Sequence, residues 1–277
     1  MSSNAHTNTV YAITGANRGV GLGLVKTYLS RPNTTVIGVV RNSAGASILR
    51  EATSTTAETR GTNSILYTVE IDFSDSTITD SPDKIRELVL ASTENITHIN
   101  ALILAAATKT PMMPTLSITA ADLRTSFEIN TIAPLMTFQA LWPLLRAAEG
   151  PKKFIMISSS IASISAMEPF VGSAYAMSKV AINWATKSLH EQIVGKDGDG
   201  EGLVSVVVHP GWVSTDMGVE AAGEWGVNYK EMMEAGYMVN LDKSIEGFVK
   251  VVDGATREND GGKFITGISG SRVEVGW

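Results

Sequence analysis

The sequence predicts an α/β protein, a doubly wound parallel sheet with helices on both faces. Three observations carry this. Short β-branched and apolar runs alternate with longer segments of helical periodicity along the chain. The first apolar run passes through a glycine-rich turn straight into a helix. Ala101 to Ala107 is apolar without alternation, the pattern of a central strand covered on both faces. Alternating strand and helix units close such a sheet through right-handed crossovers. No internal repeat or low-complexity linker divides the chain, so residues 10–277 read as a single domain. Residues 1–9 are polar and are expected to form a disordered tail.

The elements follow in order. Val10 to Thr14 is the first strand, Gly15 to Gly21 the turn, and Leu22 to Leu29 the first helix. Pro32 and Asn33 punctuate before the β-branched strand Thr34 to Val40. A weak helix is expected over Gly45 to Ala57, and a strand over Ser64 to Ile71. Pro82 to Ala91 reads as a helix with proline in its first turn. Thr119 to Glu149 is a long helical pattern, expected to be interrupted at Pro134 and Pro143. Phe154 to Ile157 is a strand leading into Ser158-Ser159-Ser160, and Ser173 to Ile193 a helix. Lys196 to Gly202 reads as an exposed turn, Leu203 to Val208 as a strand, and Lys263 to Thr266 as the last strand.

Composition narrows function. The 277 residues carry a net charge of −6 and no basic tract, which argues against a nucleic-acid partner. No apolar run is long enough to span a bilayer, and the N-terminus lacks the apolar core of a secretory signal, so a cytoplasmic protein is expected. There is no cysteine, which excludes disulfides and thiol chemistry. His6, His98, His190 and His209 show no ligand spacing; no metal is expected, and the four read as surface or loop residues.

The glycine turn suits a dinucleotide. Gly15, Gly19 and Gly21 allow a sharp turn and let phosphate approach main-chain N–H groups, with the positive end of the following helix behind them. After the second strand, an acidic residue would accept from the 2′-hydroxyl of NAD, whereas a basic one accommodates the 2′-phosphate of NADP. Arg41 stands there, and Arg18 lies inside the turn, so the expected cofactor is NADP(H). Asp72, with Phe73 beside it, ends the third strand where an acid can accept from the adenine amine.

Tyr175 and Lys179 are four apart on a helix and project from one face. A neighbouring ammonium favours phenolate and should lower the phenol pKa from about 10. Such a tyrosine can protonate a carbonyl oxygen that is becoming an alkoxide. The serine triplet and His209-Pro210-Gly211-Trp212-Val213 both follow strands, at the carboxyl edge where open α/β sheets bind ligands.

These motifs resemble the short-chain dehydrogenase/reductase family over nearly the whole length. Thr14-Gly15-Ala16-Asn17-Arg18-Gly19-Val20-Gly21 is similar to the family's TGxxxGxG loop, and Tyr175-Ala176-Met177-Ser178-Lys179 to its YxxxK. Asn130 falls in its helix-borne Asn motif, and Ser159 matches its catalytic serine by position, with Ser158 and Ser160 as neighbouring alternatives. The spacing from the serines to Tyr175 and the Pro210–Gly218 segment resemble the sniffer/C-factor-like carbonyl reductase branch. Val10 to Asn42 and the ending at Gly270, Ser271 and Trp277 resemble fungal norsolorinic acid ketoreductases, which act on polyketide anthraquinone intermediates of mycotoxin pathways.

The resemblance implies a Rossmann-type fold and roles for particular residues. Tyr175 would be the general acid in reduction, Lys179 would tune it and hold the nicotinamide ribose, Ser159 would hold the substrate carbonyl, and Asn130 would hold a water in a proton relay. NADP(H) would lie along Gly15, Asn17, Arg18, Gly19, Val20, Gly21, Arg41, Asp72, Phe73, Ala105, Ala106 and Ala107. Pro210, Gly211, Val213, Thr215 and Met217 would meet its nicotinamide end. The family usually carries Asn-Ala-Gly after the fourth strand; here Ala106 stands in the Asn position, which puts the local pocket geometry in question. The family also implies a homodimer or tetramer through the helices bearing Asn130 and Tyr175.

Residues 218–241, with Trp225, Tyr229, Met232, Met233, Tyr237 and Met238, read as an amphipathic substrate lid for a large flat apolar ligand. Met112, Met113 and Met167 are candidates for the opposite wall. The same spacings also fit plain core packing. The expected activity is NADPH-dependent reduction of a bulky aromatic, polyketide-type ketone. The alternatives are a broad-specificity reductase of small aldehydes and quinones and a non-catalytic NADP(H)-binding regulator.

Overall fold

The computed structural model describes residues 8–54, 60–194, 202–268 and 272–277. The strands are β1 (Thr9–Thr14), β2 (Thr34–Val40), β3 (Ile65–Glu70), β4 (Ala101–Leu104), β5 (Lys152–Ile157), β6 (Leu203–His209), β7 (Trp212–Val213), β8 (Met238–Val239), β9 (Phe264–Thr266) and β10 (Val273–Glu274). The helices are α1 (Gly19–Leu29), α2 (Ser43–Ser54), α3 (Ser76–Thr79), α4 (Pro82–Ala91), α5 (Ala120–Phe127), α6 (Ala133–Arg146), α7 (Ser173–Val194), α8 (Asp216–Glu224), α9 (Tyr229–Glu234), α10 (Leu241–Gly254) and α11 (Arg257–Asp260).

Eight strands form one twisted sheet in the order β10-β9-β6-β5-β4-β1-β2-β3, and β7 pairs with β8 beside it. Every pairing in the large sheet is parallel except β9 with β10, which runs antiparallel and places one more strand after the last expected one. Period-two alternation sends the two faces of each strand to different layers. In β1, Tyr11 and Ile13 pack with α1 and α10, while Val10 and Ala12 pack with α4, α6 and α7. All seven residues of β2 are buried, because helices cover both sides. The strand order reverses between β1 and β4, which opens a crevice at the carboxyl edge. Among the described residues no helix is long and apolar enough to cross a membrane.

Several boundaries differ from expectation, each for a local reason. The strand β1 starts at Thr9, inside the expected tail: Thr9 N–H donates to Asn33 O at 3.0 Å and Asn8 Nδ2 to Thr35 Oγ1 at 3.1 Å. Residues 1–7 lie outside the described residues, as do most of the expected turn at 196–202 and both Gly270 and Ser271. The helix α2 starts early because the Asn42 side chain accepts the Gly45 N–H at 3.1 Å. The strand β4 stops at Leu104, since the N–H groups of Ala105 and Ala106 turn to Thr14 Oγ1, both at 3.0 Å.

The long helical pattern over 119–149 breaks at neither proline. Pro134 sits at the start of α6 and Pro143 inside it. The interruption is a π-helical turn over Glu128–Ile132, which carries Asn130. Absent from the expected elements is α10, although Asn240 caps its start and Leu241, Ile245, Phe248 and Val252 recur at helical spacing. Residues 218–241, read from sequence as a lid, form most of α8, then α9 and β8, and reach the first residue of α10.

Candidate active site

At the crevice lies one cleft of about 1450 Å³. It is lined by every residue singled out above for a nucleotide, and by Ser159, Tyr175 and Lys179. Asn130 is not in its lining; it is fully buried behind it.

Glycine is required at one end. Gly15 has φ +66, and a Cβ there would come within 2.9 Å of the Ala106 backbone. A Cβ on Gly21 would overlap the Gly15 carbonyl oxygen, so the turn packs backbone on backbone. The helix α1 begins just beyond, with no side-chain cap and no acid in its first turn, which leaves N–H groups free for an anion. The cradle therefore fits a diphosphate.

Arg18, inside this turn, and Arg41, after β2, are exposed at the cleft edge. Asp72 Oδ1 accepts from Ser74 Oγ and N–H, at 2.6 and 2.9 Å, and these bonds, aided by Arg41, hold its carboxyl below the usual carboxylate range.

The turn after β4 lacks the expected asparagine, yet it is held. Thr14 Oγ1 takes two of its N–H groups. Asn130 takes the next residue: its Oδ1 accepts Thr108 N–H at 2.9 Å, and its Nδ2 donates to Thr108 O at 2.8 Å and Ser178 Oγ at 3.0 Å. The Asn130 side chain thereby binds this turn to α7, both Nδ2 hydrogens being spent on Thr108 O and Ser178 Oγ.

The helix α7 places Tyr175 and Lys179 one turn apart, with Lys179 Nζ 5.9 Å from the Tyr175 ring centroid. Its first residue, Ser173, is buried at φ +53, a conformation that non-glycine residues adopt at a cost. Nζ donates to Ile157 O at 2.9 Å, and burial pulls the Lys179 amine down to about 7. Burial pushes the Tyr175 phenol up to about 12, against a smaller opposing effect of its hydrogen bond with Ser159. Burial thus acts on the phenol in the direction opposite to the lowering expected from a neighbouring ammonium.

That hydrogen bond also separates the three serines. Ser159 meets the tyrosine. Ser158 Oγ is buried without a partner, and Ser160 N–H donates to His209 Nδ1 at 3.2 Å. His209 is therefore no ordinary surface residue. It lines the cleft, and burial lowers its pKa to about 4, so it is a neutral acceptor holding the serine loop against β6. Its place at a strand end before Pro210-Gly211 was the available signal. Beyond it, Ser244 Oγ donates to Pro210 O at 2.6 Å, and Thr215 Oγ1 caps α8 by accepting Gly218 N–H at 3.4 Å.

The other half of the cleft is aromatic. Phe170 stacks on Trp225 at 4.7 Å, and Trp212 meets both edge-on at 5.9 and 5.3 Å. Of the wall residues expected from sequence, Met112, Trp225, Met232 and Tyr237 line the cleft. Met113, Met167, Tyr229, Met233 and Met238 do not; Met238 is buried in the pairing with β7.

The comparisons agree with this architecture. A family model described as short chain dehydrogenase matches residues 9–224. The short-chain dehydrogenase RED3 of Pyricularia oryzae is 34% identical over 268 residues, covering 95% of this chain and 97% of that protein. The norsolorinic acid ketoreductase nor1 of Dothistroma septosporum is 34% identical over 269 residues, covering 96% and 92%. Among solved structures, an NADPH-bound carbonyl reductase from chicken fatty liver superposes with a TM-score of 0.76 at 27% identity, covering 98% of this chain and 99% of that one. The carbonyl reductase Sniffer of Drosophila melanogaster gives 0.74 at 26%, covering 98% and 100%. The chain belongs to the short-chain dehydrogenase/reductase family. It is an oxidoreductase of that family.

Proposed function

We propose that this protein is an NADP(H)-dependent ketoreductase of a bulky aromatic, polyketide-like ketone. The observation that carries the reading is the meeting of Ser159, Tyr175 and Lys179 between a glycine cradle edged by two arginines and an aromatic wall. Gly15, Gly19 and Gly21 with the start of α1 would hold the diphosphate, Arg18 and Arg41 the 2′-phosphate, and the Pro210–Thr215 segment the nicotinamide end. A bound reduced nicotinamide supplies the hydride.

The chain's own residues manage the proton. A phenol near 12 stays protonated at neutral pH, the form that a general acid needs. Tyr175 donates that proton to the carbonyl oxygen, and Ser159 hydrogen-bonds the same oxygen. Lys179, when protonated, favours the phenolate left behind. Asn130 and His209 act at one remove: the first fixes the turn beside α7, the second fixes the serine loop.

The likeness to the Dothistroma ketoreductase supports the polyketide side of this reading. The likeness to the two carbonyl reductases favours a second one, a broad-specificity reductase of small aldehydes and quinones. NADPH oxidation over a panel from small aldehydes to polyhydroxylated anthraquinone ketones decides. Preference for the polycyclic ketones supports the first reading, preference for small carbonyls the second, and no turnover with any of them overturns both. The exposed Met177 and Trp184 on α7 and Ile132 beside Asn130 support a homo-oligomer, which sedimentation would measure.

A further inference from the structure

We propose that Glu224 and Trp225, consecutive residues at the end of α8, tie together the two loops flanking the substrate half of the cleft. The tie determines which carbonyl compounds fit. The proposal rests on the ketoreductase reading for the reaction and adds what bounds the substrate.

Glu224 reaches one way. Its Oε1 accepts from Lys109 Nζ at 2.8 Å and its Oε2 accepts Met112 N–H at 3.0 Å. Lys109 also lies 3.5 Å from Glu220, one turn earlier on α8. The Lys109 side chain is only 9% exposed and that of Glu224 33%, so the cation is sheltered while its main partner keeps one side to water. Trp225 reaches the other way, donating its Nε1–H to Val171 O at 3.0 Å and stacking on Phe170. Lys109 and Met112 belong to the loop after β4, whereas Phe170 and Val171 belong to the loop joining the catalytic serine to α7. Met112, Phe170 and Trp225 all line the cleft. One helix end therefore sets the distance between two walls that no strand pairing holds together. A planar polycyclic ketone needs that spacing along its length, because stacking falls off as ring faces separate. A small aldehyde does not.

The test compares Glu224→Gln and Lys109→Met with the conservative Lys109→Arg. In both charge-removing variants KM for a polyhydroxylated anthraquinone ketone should rise roughly fivefold to tenfold, because the link from α8 to the loop after β4 loses its charge-assisted hydrogen bond. Turnover number and the kcat/KM for a small aldehyde should stay within a factor of about two, and Lys109→Arg should behave as wild type, since both cations pair with a carboxylate. Amide hydrogen exchange in 109–113 and 219–225 should accelerate in the two charge-removing variants, whatever the substrate. Unchanged exchange, or equal losses for both substrates, overturns the tie. If wild type reduces no aromatic ketone, the substrate reading fails, and the exchange rates still decide the tie.

Discussion

The two halves of the cleft are built from different materials. The nucleotide half is mostly backbone: glycines that pack main chain on main chain, the uncapped start of α1, and the turn after β4 hung on Thr14 and Asn130. The substrate half is mostly side chain: Phe170, Trp212 and Trp225 stacked on each other, and Lys109 paired across to Glu224. Backbone construction demands particular residue types at fixed offsets in one stretch. Side-chain construction draws on segments far apart in the chain and asks only that their sizes and charges fit. The first half is thus constrained by any dinucleotide, while the second is free to vary with the substrate. Tyr175 and Ser159 stand at the seam.

Changing the seam should have the largest effect. Tyr175→Phe should leave nucleotide binding near wild type, followed by quenching of protein fluorescence, and lower turnover by about 10²–10⁴, the usual worth of general acid assistance. A Phe variant that still turns over would place the proton donor elsewhere.

The buried amine beside it sharpens the contrast by another route. Lys179 has a folded pKa near 7 against an ordinary 10.5. Between those values the unfolded chain binds the additional proton, so stability of the nucleotide-free protein should rise with pH over that window. Below 7 both states are protonated and the cost of burying the charge is felt in full. Lys179→Met removes this dependence. Denaturation midpoints at pH 6, 7.5 and 9 should therefore diverge between the two proteins, wild type gaining as pH rises. Parallel curves would mean that the amine is charged in the fold.

Much of this layout was legible in the sequence because it is local. Tyr175 and Lys179 share a face by helical spacing alone, Gly15 to Gly21 turn within one stretch, and Arg41 follows a β-branched strand by one residue. The strand-helix alternation was readable because both faces of the sheet are buried. What escaped is tertiary. His209 comes against the serine loop only because β5 and β6 pair side by side, and no spacing reveals that. The π turn at Asn130 is set by bonds to Thr108 and Ser178, 22 and 48 residues away. Phe170, apart from any periodic run, acquires meaning only when Trp225 lands on it. The raised phenol pKa follows the same rule: spacing shows that an amine is near, but only the fold shows that Lys179 is buried and that Tyr175 sits in the wall of the cleft.

The arginines probe the nucleotide half next. Arg18→Ala and Arg41→Ala should each raise KM for NADPH by roughly tenfold, the loss of one charge-assisted contact to phosphate. KM for NADH, which lacks the 2′-phosphate, should change little. Equal effects on both cofactors would remove the phosphate role and leave these residues as edge charges.

The smallest effect belongs to the aromatic wall, and its smallness is informative. Phe170→Leu keeps apolar bulk but removes the ring that stacks on Trp225 at 4.7 Å. A contact between the Phe170 ring and a bound polycyclic ketone would be worth about 0.5–1.5 kcal/mol beyond its buried area, so KM for such a ketone should rise by only about twofold to tenfold. The same variant should leave KM for NADPH and for a small aldehyde unchanged, because the glycine cradle and not Phe170 would hold the dinucleotide, and a small carbonyl needs no ring face. A change in KM for NADPH comparable to that for the ketone would show that the two halves are mechanically coupled. The division between a backbone-built and a side-chain-built half would then have to be given up.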